Sequence, residues 1–345
     1  MKLEEKSRKI NLKAVIAVTV CIALIAGLVS FDFIRSRKEY SDTDVAMNTV
    51  INLRLYGPDG EKTAAAVKEE IRSIENNLLS RYSKTSDVSR INSSDGKAVT
   101  VSPEVGEIIS KAEEVSEKCG GVFDITIGKI SALWDFGGKN QRLPSDDEIA
   151  ENLTYVGYKK YKFSGSGITL GEKQELDLGA VGKGAACDMI RSLLSSRQTD
   201  SAVISVGGSL LLYGKRNFSI GIVNPENDRQ SMGTLSLSDT CVSTSGSYEQ
   251  FFEQNGKTYH HILNAATGYP AESHLLSVTV VCDSGVLSDA LSTACYILGY
   301  NNTSLAMLKE FEAEAVFITK EKVVRCTDGI RDDFKITDGS YKMGK

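Results

Sequence analysis

The chain has 345 residues, 40 Lys+Arg against 45 Asp+Glu, a formal net charge of -5 and 41% hydrophobic residues, ordinary composition for one large or two modest globular domains. That excludes a disordered, collagen-like or polytopic chain, and slight acidity with no Lys/Arg run beyond the N-terminal region argues against nucleic acid as a partner. Seven cysteines (Cys21, Cys119, Cys187, Cys241, Cys282, Cys295 and Cys326) lie scattered without a C-x-x-C pair, leaving a zinc ribbon, a thioredoxin-type motif, an iron–sulfur run and a dense disulfide scaffold unsupported.

In chain order, the first feature is residues 14–31 (AVIAVTVCIALIAGLVSF), an uncharged apolar run preceded by Lys2, Lys6, Arg8, Lys9 and Lys13. It is long enough to span a bilayer, and the upstream cations keep the N-terminus in the cytoplasm. No clean A-x-A site follows the run, and Val20 rather than a small residue precedes Cys21, so an uncleaved single-pass anchor is expected. Residues 1–40 are then a basic tail plus membrane helix, and residues 41–345 an extracytoplasmic domain at the cell membrane. Beyond Asp42 there is no low-complexity linker and no repeat, and the whole sequence has five prolines, which describes one continuous folded unit.

Ile51, Leu53 and Leu55 alternate up to Gly57-Pro58, predicting a strand. Ala64, Val67, Ile71, Ile74 and Leu78 recur at steps of three and four, predicting a helix; Ser102-Pro103 opens a second with Val105, Ile108, Ile109, Ala112 and Val115 on one face. The β-branched runs 202–206, 209–213, 219–223, 234–237 and 277–282 predict strands in the second half. The order is α+β, mixed sheets with packed helices, and lacks the regular βαβ alternation of a doubly wound dinucleotide fold.

Three stretches carry possible chemistry. Residues 176–185 (LDLGAVGKGA) lead from a short apolar strand into a helix. Its glycines suit either anion binding at a helix N-terminus, with Lys183 as a point charge, or close packing of helix on sheet. It matches neither the P-loop nor G-x-G-x-x-G. Residues 259–270 contain His260 and His261, two of three histidines in the chain, which on a strand point to opposite faces. One can enter a pocket and take a hydroxyl proton, or both can be structural. Residues 288–299 read as a helix with Ser288 as N-cap and Gly299 as stop. Asp289 and Thr293, four apart, share a face and suit a hard cation such as Mg²⁺, or Asp289 merely complements the helix dipole.

Together these pieces resemble the FAD:protein FMN transferase (ApbE flavin transferase) family, over about residues 47–299. The matching segments are Met47-Asn48-Thr49, residues 80–92 (SRYSKTSDVSRIN), Gly121-Val122-Phe123-Asp124 leading to Leu133-Trp134-Asp135-Phe136-Gly137, residues 177–184, Val206-Gly207-Gly208, residues 261–270 and residues 289–293. Asn48 stands where the family usually has Gly, a residue that tolerates positive φ. Asn264-Ala265-Ala266-Thr267-Gly268 stands where it usually reads Asp-Pro-Arg/Lys-Thr-Gly.

The resemblance implies an ApbE-like, T-fold-related architecture and an extracytoplasmic Mg²⁺-dependent enzyme. Such an enzyme transfers the FMN half of FAD to a Thr or Ser hydroxyl of an acceptor protein, here an electron-transfer flavoprotein of the cell envelope, and releases AMP. It further implies Asp289, Ser292, Thr293 and the Ala180 main-chain carbonyl as metal ligands, and His261 as the base. Flavin contacts fall on Met47, Tyr82, Val122, Phe123, Asp124, Asp177, Lys183 and Ile262. A Mg²⁺-dependent FAD pyrophosphatase giving FMN and AMP, or a non-catalytic extracellular flavin carrier, would use many of the same residues.

Overall fold

Alternation of apolar residues along successive strands produces one large sheet with both faces covered. In the computed structural model, which describes residues 38–344, β1 (Glu39–Ala46), β2 (Thr49–Tyr56), β3 (Ser201–Val206), β4 (Ser209–Tyr213), β5 (Thr240–Gly246), β6 (Leu275–Cys282), β7 (Glu314–Thr319), β8 (Val323–Cys326) and β9 (Lys342–Met343) lie side by side in that order. Each neighbouring pair is antiparallel except β8 and β9. The sheet is therefore a meander, and everything else is inserted between strands that remain neighbours.

Adjacent residues divide between the two faces. Leu211, Cys241 and Val280 join the helix-side core, whereas Leu212, Val242 and Val281 join the opposite one. On the helix side, α1 (Gly60–Ser73) and α3 (Gly182–Ser195) pack Ala64, Val67, Ile71, Ile190 and Leu194 on Ile51, Leu53, Leu55 and Ile204. There too α2 (Pro103–Lys118) packs Val105, Ile108, Ile109 and Ala112 against Ala290, Leu291 and Ala294 of α4 (Gly285–Leu298). A three-stranded sheet of Phe218–Asn224, Asn227–Leu237 and Phe334–Ile336 covers the other face with Phe218, Ile220, Ile222 and Leu235.

The predicted strand at 51–55 and helices at 64–78 and 103–115 are present, with three differences. β1 precedes the predicted first strand; its sequence, EYSDTDVA, is polar because it is an edge strand. Its Thr43 and Val45 N–H groups donate to the Asp42 and Asp44 carboxylates at 2.8 and 2.9 Å, which blunts an edge open to pairing with another chain. The first helix leaves the α form at Ser73 and continues as a π-helical segment, Ile74–Leu79. The last site helix begins one turn earlier than predicted, because Ser284, not Ser288, accepts the Leu287 N–H as N-cap. Ser288 is buried inside that helix, its hydroxyl donating to the Gly285 carbonyl at 2.9 Å.

The apolar run 14–31, its anchor role, Cys21 and most of the 1–40 segment lie outside the described residues. Among the described residues no helix is long and apolar enough to cross a membrane. From residue 41 onward the chain folds on the one meander, with the mixed α+β layers expected.

Candidate active site

The insertions meet on the helix side of the sheet around a cavity of about 570 Å³, a size in the range of small-molecule sites. Its first wall is the turn joining β1 to β2. Ala46 and Thr49 pair across it, and Met47 and Asn48 have φ of 52° and 55°, the two positive values of a type I′ hairpin turn. Asn48 thus occupies the positive-φ position expected of it. Met47 holds a conformation unusual for a bulky residue, with its N–H donating to Glu75 Oε2 at 3.1 Å.

Asp177, in the loop ahead of α3, is immobilised from three directions. Its Oδ2 accepts from Arg81 Nη1 at 3.1 Å and from the Ser131 hydroxyl, while Oδ1 accepts from the Gly179 N–H at 2.9 Å. Arg81 also reaches the Gly128 carbonyl at 2.9 Å and Glu175 Oε2 at 3.1 Å. One guanidinium therefore ties the segment after α1 to the loop that carries Ala180 and leads into α3 at Lys183. The glycines of this loop and of the first turn of α3 divide between the two roles left open by sequence. Gly179 and Gly182 line the cavity. Gly184 serves packing, since a Cβ there would fall 1.9 Å from the Gly285 carbonyl oxygen.

Across the cavity, α4 presents Asp289, Ser292 and Thr293. Asp289 Oδ1 accepts from the Ser209 hydroxyl at 2.6 Å, and Oδ2 from the Gly184 N–H at 2.6 Å. Ser245 Oγ lies 2.8 Å from Ser292 Oγ and 3.2 Å from Thr293 Oγ1. These groups, with the Ala180 segment, make an oxygen-only donor set in which each carboxylate oxygen retains a lone pair. Among the described residues no three His, Cys, Asp or Glu side chains gather as a metal cluster. The set fits a hard cation such as Mg²⁺, which takes one or two carboxylates and fills its octahedron with hydroxyls, water and phosphate.

His261 follows directly on the strand Lys257–His260 and its half-buried ring lines the cavity. Its Nδ1 lies 3.3 Å from the Gln250 carbonyl. A carbonyl can only accept, so the proton sits on Nδ1 and Nε2 keeps its lone pair. Burial, reinforced by the Lys183 charge, lowers its pKa to about 4. His260 lies outside the cavity wall, with Nε2 3.1 Å from the Ala271 carbonyl. Just past His261, Asn264 Oδ1 accepts the Ala266 N–H at 2.9 Å and its carbonyl the Gly268 N–H at 2.8 Å, so the turn closes without the family's usual Asp and Pro. Buried Trp134 braces it through Nε1, donating to the Gly268 carbonyl at 2.9 Å.

Every residue carried over from the resemblance lines this cavity except Val122, which packs on the core while its carbonyl accepts the Ala265 N–H at 2.9 Å. Asp124 is at the wall, yet its carboxylate is occupied by the Thr126 N–H, the Thr126 hydroxyl and the Tyr158 N–H at 2.8, 2.7 and 2.6 Å. Burial pushes its pKa up despite those bonds. Tyr82 stands at the rim, 83% exposed.

Sequence reasoning did not single out Arg81, Ser131, Ser209, Ser245 or Glu249. Arg81 stood inside a quoted segment, whereas the others are isolated polar residues with no spacing to reveal them. Glu249 lines the cavity and keeps contact with solvent there, yet the protein around it strips enough water to raise its carboxyl pKa, against the pull of Lys183.

The sequence profile of the ApbE family matches residues 47–317. The chain belongs to the ApbE family. It is 31% identical to the FAD:protein FMN transferase of Treponema pallidum, over 95% of this chain and 97% of that protein. It is 32% identical to the protein of the same name from Klebsiella pneumoniae, over 88% and 96%. The fold superposes on the ApbE protein of Thermotoga maritima with a TM-score of 0.78 at 28% identity, covering 85% of this chain and 98% of that one. For the apo flavinyl transferase ApbE of Pseudomonas stutzeri the TM-score is 0.74 at 27% identity, covering 84% and 95%. The ApbE architecture expected from the motifs is therefore the one adopted.

Proposed function

We propose that this ApbE-family enzyme transfers the FMN moiety of FAD to a Thr or Ser hydroxyl of an acceptor protein, with Mg²⁺ bound and AMP as the other product. The observation that carries the reading is a single cavity that sets the free Nε2 of a neutral His261 among Lys183 and the oxygen donors of α4. Relatives covering nearly the whole chain bear the name FAD:protein FMN transferase.

The residues divide the work. Tyr82, Phe123, Phe136, Ile262 and Leu263 supply apolar surface in the cavity wall for flat rings. The Lys183 ammonium and the first-turn N–H groups of Gly182 and Lys183 favour the pyrophosphate. Asp289, Ser292, Thr293 and the Ala180 carbonyl would hold Mg²⁺, which when bound offsets negative charge on the phosphate oxygens. His261 Nε2 takes the proton as the acceptor hydroxyl oxygen bonds to the FMN-side phosphorus. The P–O bond to AMP breaks, and AMP leaves with that electron pair. Water in place of the hydroxyl would give FMN and AMP.

The 14–31 run supports anchoring at the cell membrane with the domain outside, and hence an acceptor in the cell envelope. The test uses the full-length protein with FAD, Mg²⁺ and a candidate envelope flavoprotein, following AMP and protein-bound flavin. AMP formed only with acceptor, in step with labelling, supports the transferase. Acceptor-independent AMP and free FMN would replace it by the pyrophosphatase, and tight FAD binding without AMP for any acceptor by the carrier.

A further inference from the structure

α3 and α4 touch where each begins. A Cβ on Gly184 would fall 1.9 Å from the Gly285 carbonyl oxygen, and one on Gly285 would fall 2.2 Å from the Gly184 carbonyl oxygen. Only a glycine pair lets the two first turns come this close. Each turn then receives a carboxylate from the other helix. Asp188, on α3, accepts from the Gly285 N–H at 2.6 Å, the Val286 N–H at 3.1 Å and the Ser284 hydroxyl at 3.0 Å. Asp289, on α4, accepts from the Gly184 N–H at 2.6 Å. First-turn N–H groups have no partner inside their own helix, and the positive end of the helix dipole favours a carboxylate. Asp188 is not among the residues lining the cavity.

We propose that Asp188 is a positioning residue: with Asp289 it makes a reciprocal exchange of carboxylate caps that sets α4 against α3, and so places Asp289, Ser292 and Thr293 opposite Lys183. Asp289 serves both the cap and the oxygen-donor set, so removing it cannot separate the two roles. Asp188 lies outside that donor set; besides the cap, its Oδ1 accepts from the Cys241 thiol at 4.0 Å. The inference rests on the metal reading above for its functional consequence, and on the hydrogen bonds alone for the exchange itself.

Full-length protein tests both parts. Mn²⁺ binding, followed by the electron paramagnetic resonance signal of the free ion, is compared among the parent, Asp188→Ala, Asp188→Asn and Ser102→Ala. The last removes the N-cap hydroxyl of α2 and controls for a lost cap. Asp188→Ala is expected to weaken Mn²⁺ at least tenfold and Asp188→Asn less, with Ser102→Ala within twofold of the parent. Urea midpoints in EDTA are measured for Asp188→Ala, Asp289→Ala and the double variant, whose shift is expected to fall well short of the sum of the single shifts. Mn²⁺ affinity of Asp188→Ala within twofold of the parent, or additive midpoint shifts, overturns the proposal. Should Asp188→Ala fail to fold, Asp188→Asn and Ser284→Ala carry the same comparisons. A parent that binds no Mn²⁺ refutes the metal reading by itself, and the metal-free cycle still decides whether the two caps act as one.

Discussion

With a pKa near 4, set by burial and by Lys183, His261 stays neutral well below the ordinary imidazole range, as the proposed base must. The acid limb of kcat/KM in the free enzyme is therefore expected near pH 4 rather than near 6.5, read from a pH–rate profile with saturating Mg²⁺. The sign for stability follows from the same shift. As pH falls below the unfolded value of 6.5, the unfolded chain takes up the proton first, so stability declines from there to about 4 and is unaffected above. His261→Ala should lower kcat by about 10²–10⁴-fold and flatten that decline, while FAD affinity measured by fluorescence changes little. Under the proposed metal reading, Ala180→Ser is expected to leave Mg²⁺ dependence nearly unchanged, because the ligand proposed there is a main-chain oxygen. Asp289→Ala should abolish Mn²⁺ binding in calorimetry.

The segment spanning Arg81 and the loop ahead of α3 behaves as one element because a single guanidinium holds four partners there: Ser131, Asp177, Glu175 and the Gly128 carbonyl. Arg81→Ala leaves Asp177 and Glu175 facing each other with only Ser131, Gly179 and Lys129 as partners. The loop that leads into Lys183 should then lose its set position, raising KM for FAD on the order of tenfold, about 1.4 kcal/mol of binding, with a smaller change in kcat. Steady-state kinetics decides it, and equal loss in both parameters would point instead to a group acting in the transition state. Legibility differed by element. α2 was readable because its apolar periodicity and Ser102 cap agree. β1 was not, because an edge strand buries too little of either face to impose an apolar alternation.

Among the described residues, six cysteines are buried and free, and burial raises their thiol pKa values, to about 12 for Cys241 and about 11 for Cys326. Few thiolates and little access predict that none of the six reacts with a thiol reagent in the native enzyme. All six should react in denaturant, as absorbance with an aromatic disulfide reagent would show. The proposed anchor gives the other whole-molecule expectation: alkaline carbonate should leave the full chain in the membrane pellet, whereas a variant lacking residues 1–37 appears in the supernatant. Release of the full chain would overturn the single-pass reading.

By itself the sequence determined the layered α+β class, the apolar run at the N-terminus, the positive-φ role of Asn48 and the residues able to carry the chemistry. These are local matters, written in periodicity, turn chemistry and ordered motifs. Only the tertiary structure decided that Gly184 packs against Gly285, that Asp124 spends its carboxylate on Thr126 and Tyr158, and that Arg81, Ser245 and Glu249 stand in the cavity wall. It also decided that Asp188 and Asp289 cap one another's helices. The contacts between α3 and α4 join residues about a hundred positions apart, between insertions of a meander whose strands stay in chain order. No spacing along the chain records which of those insertions will meet.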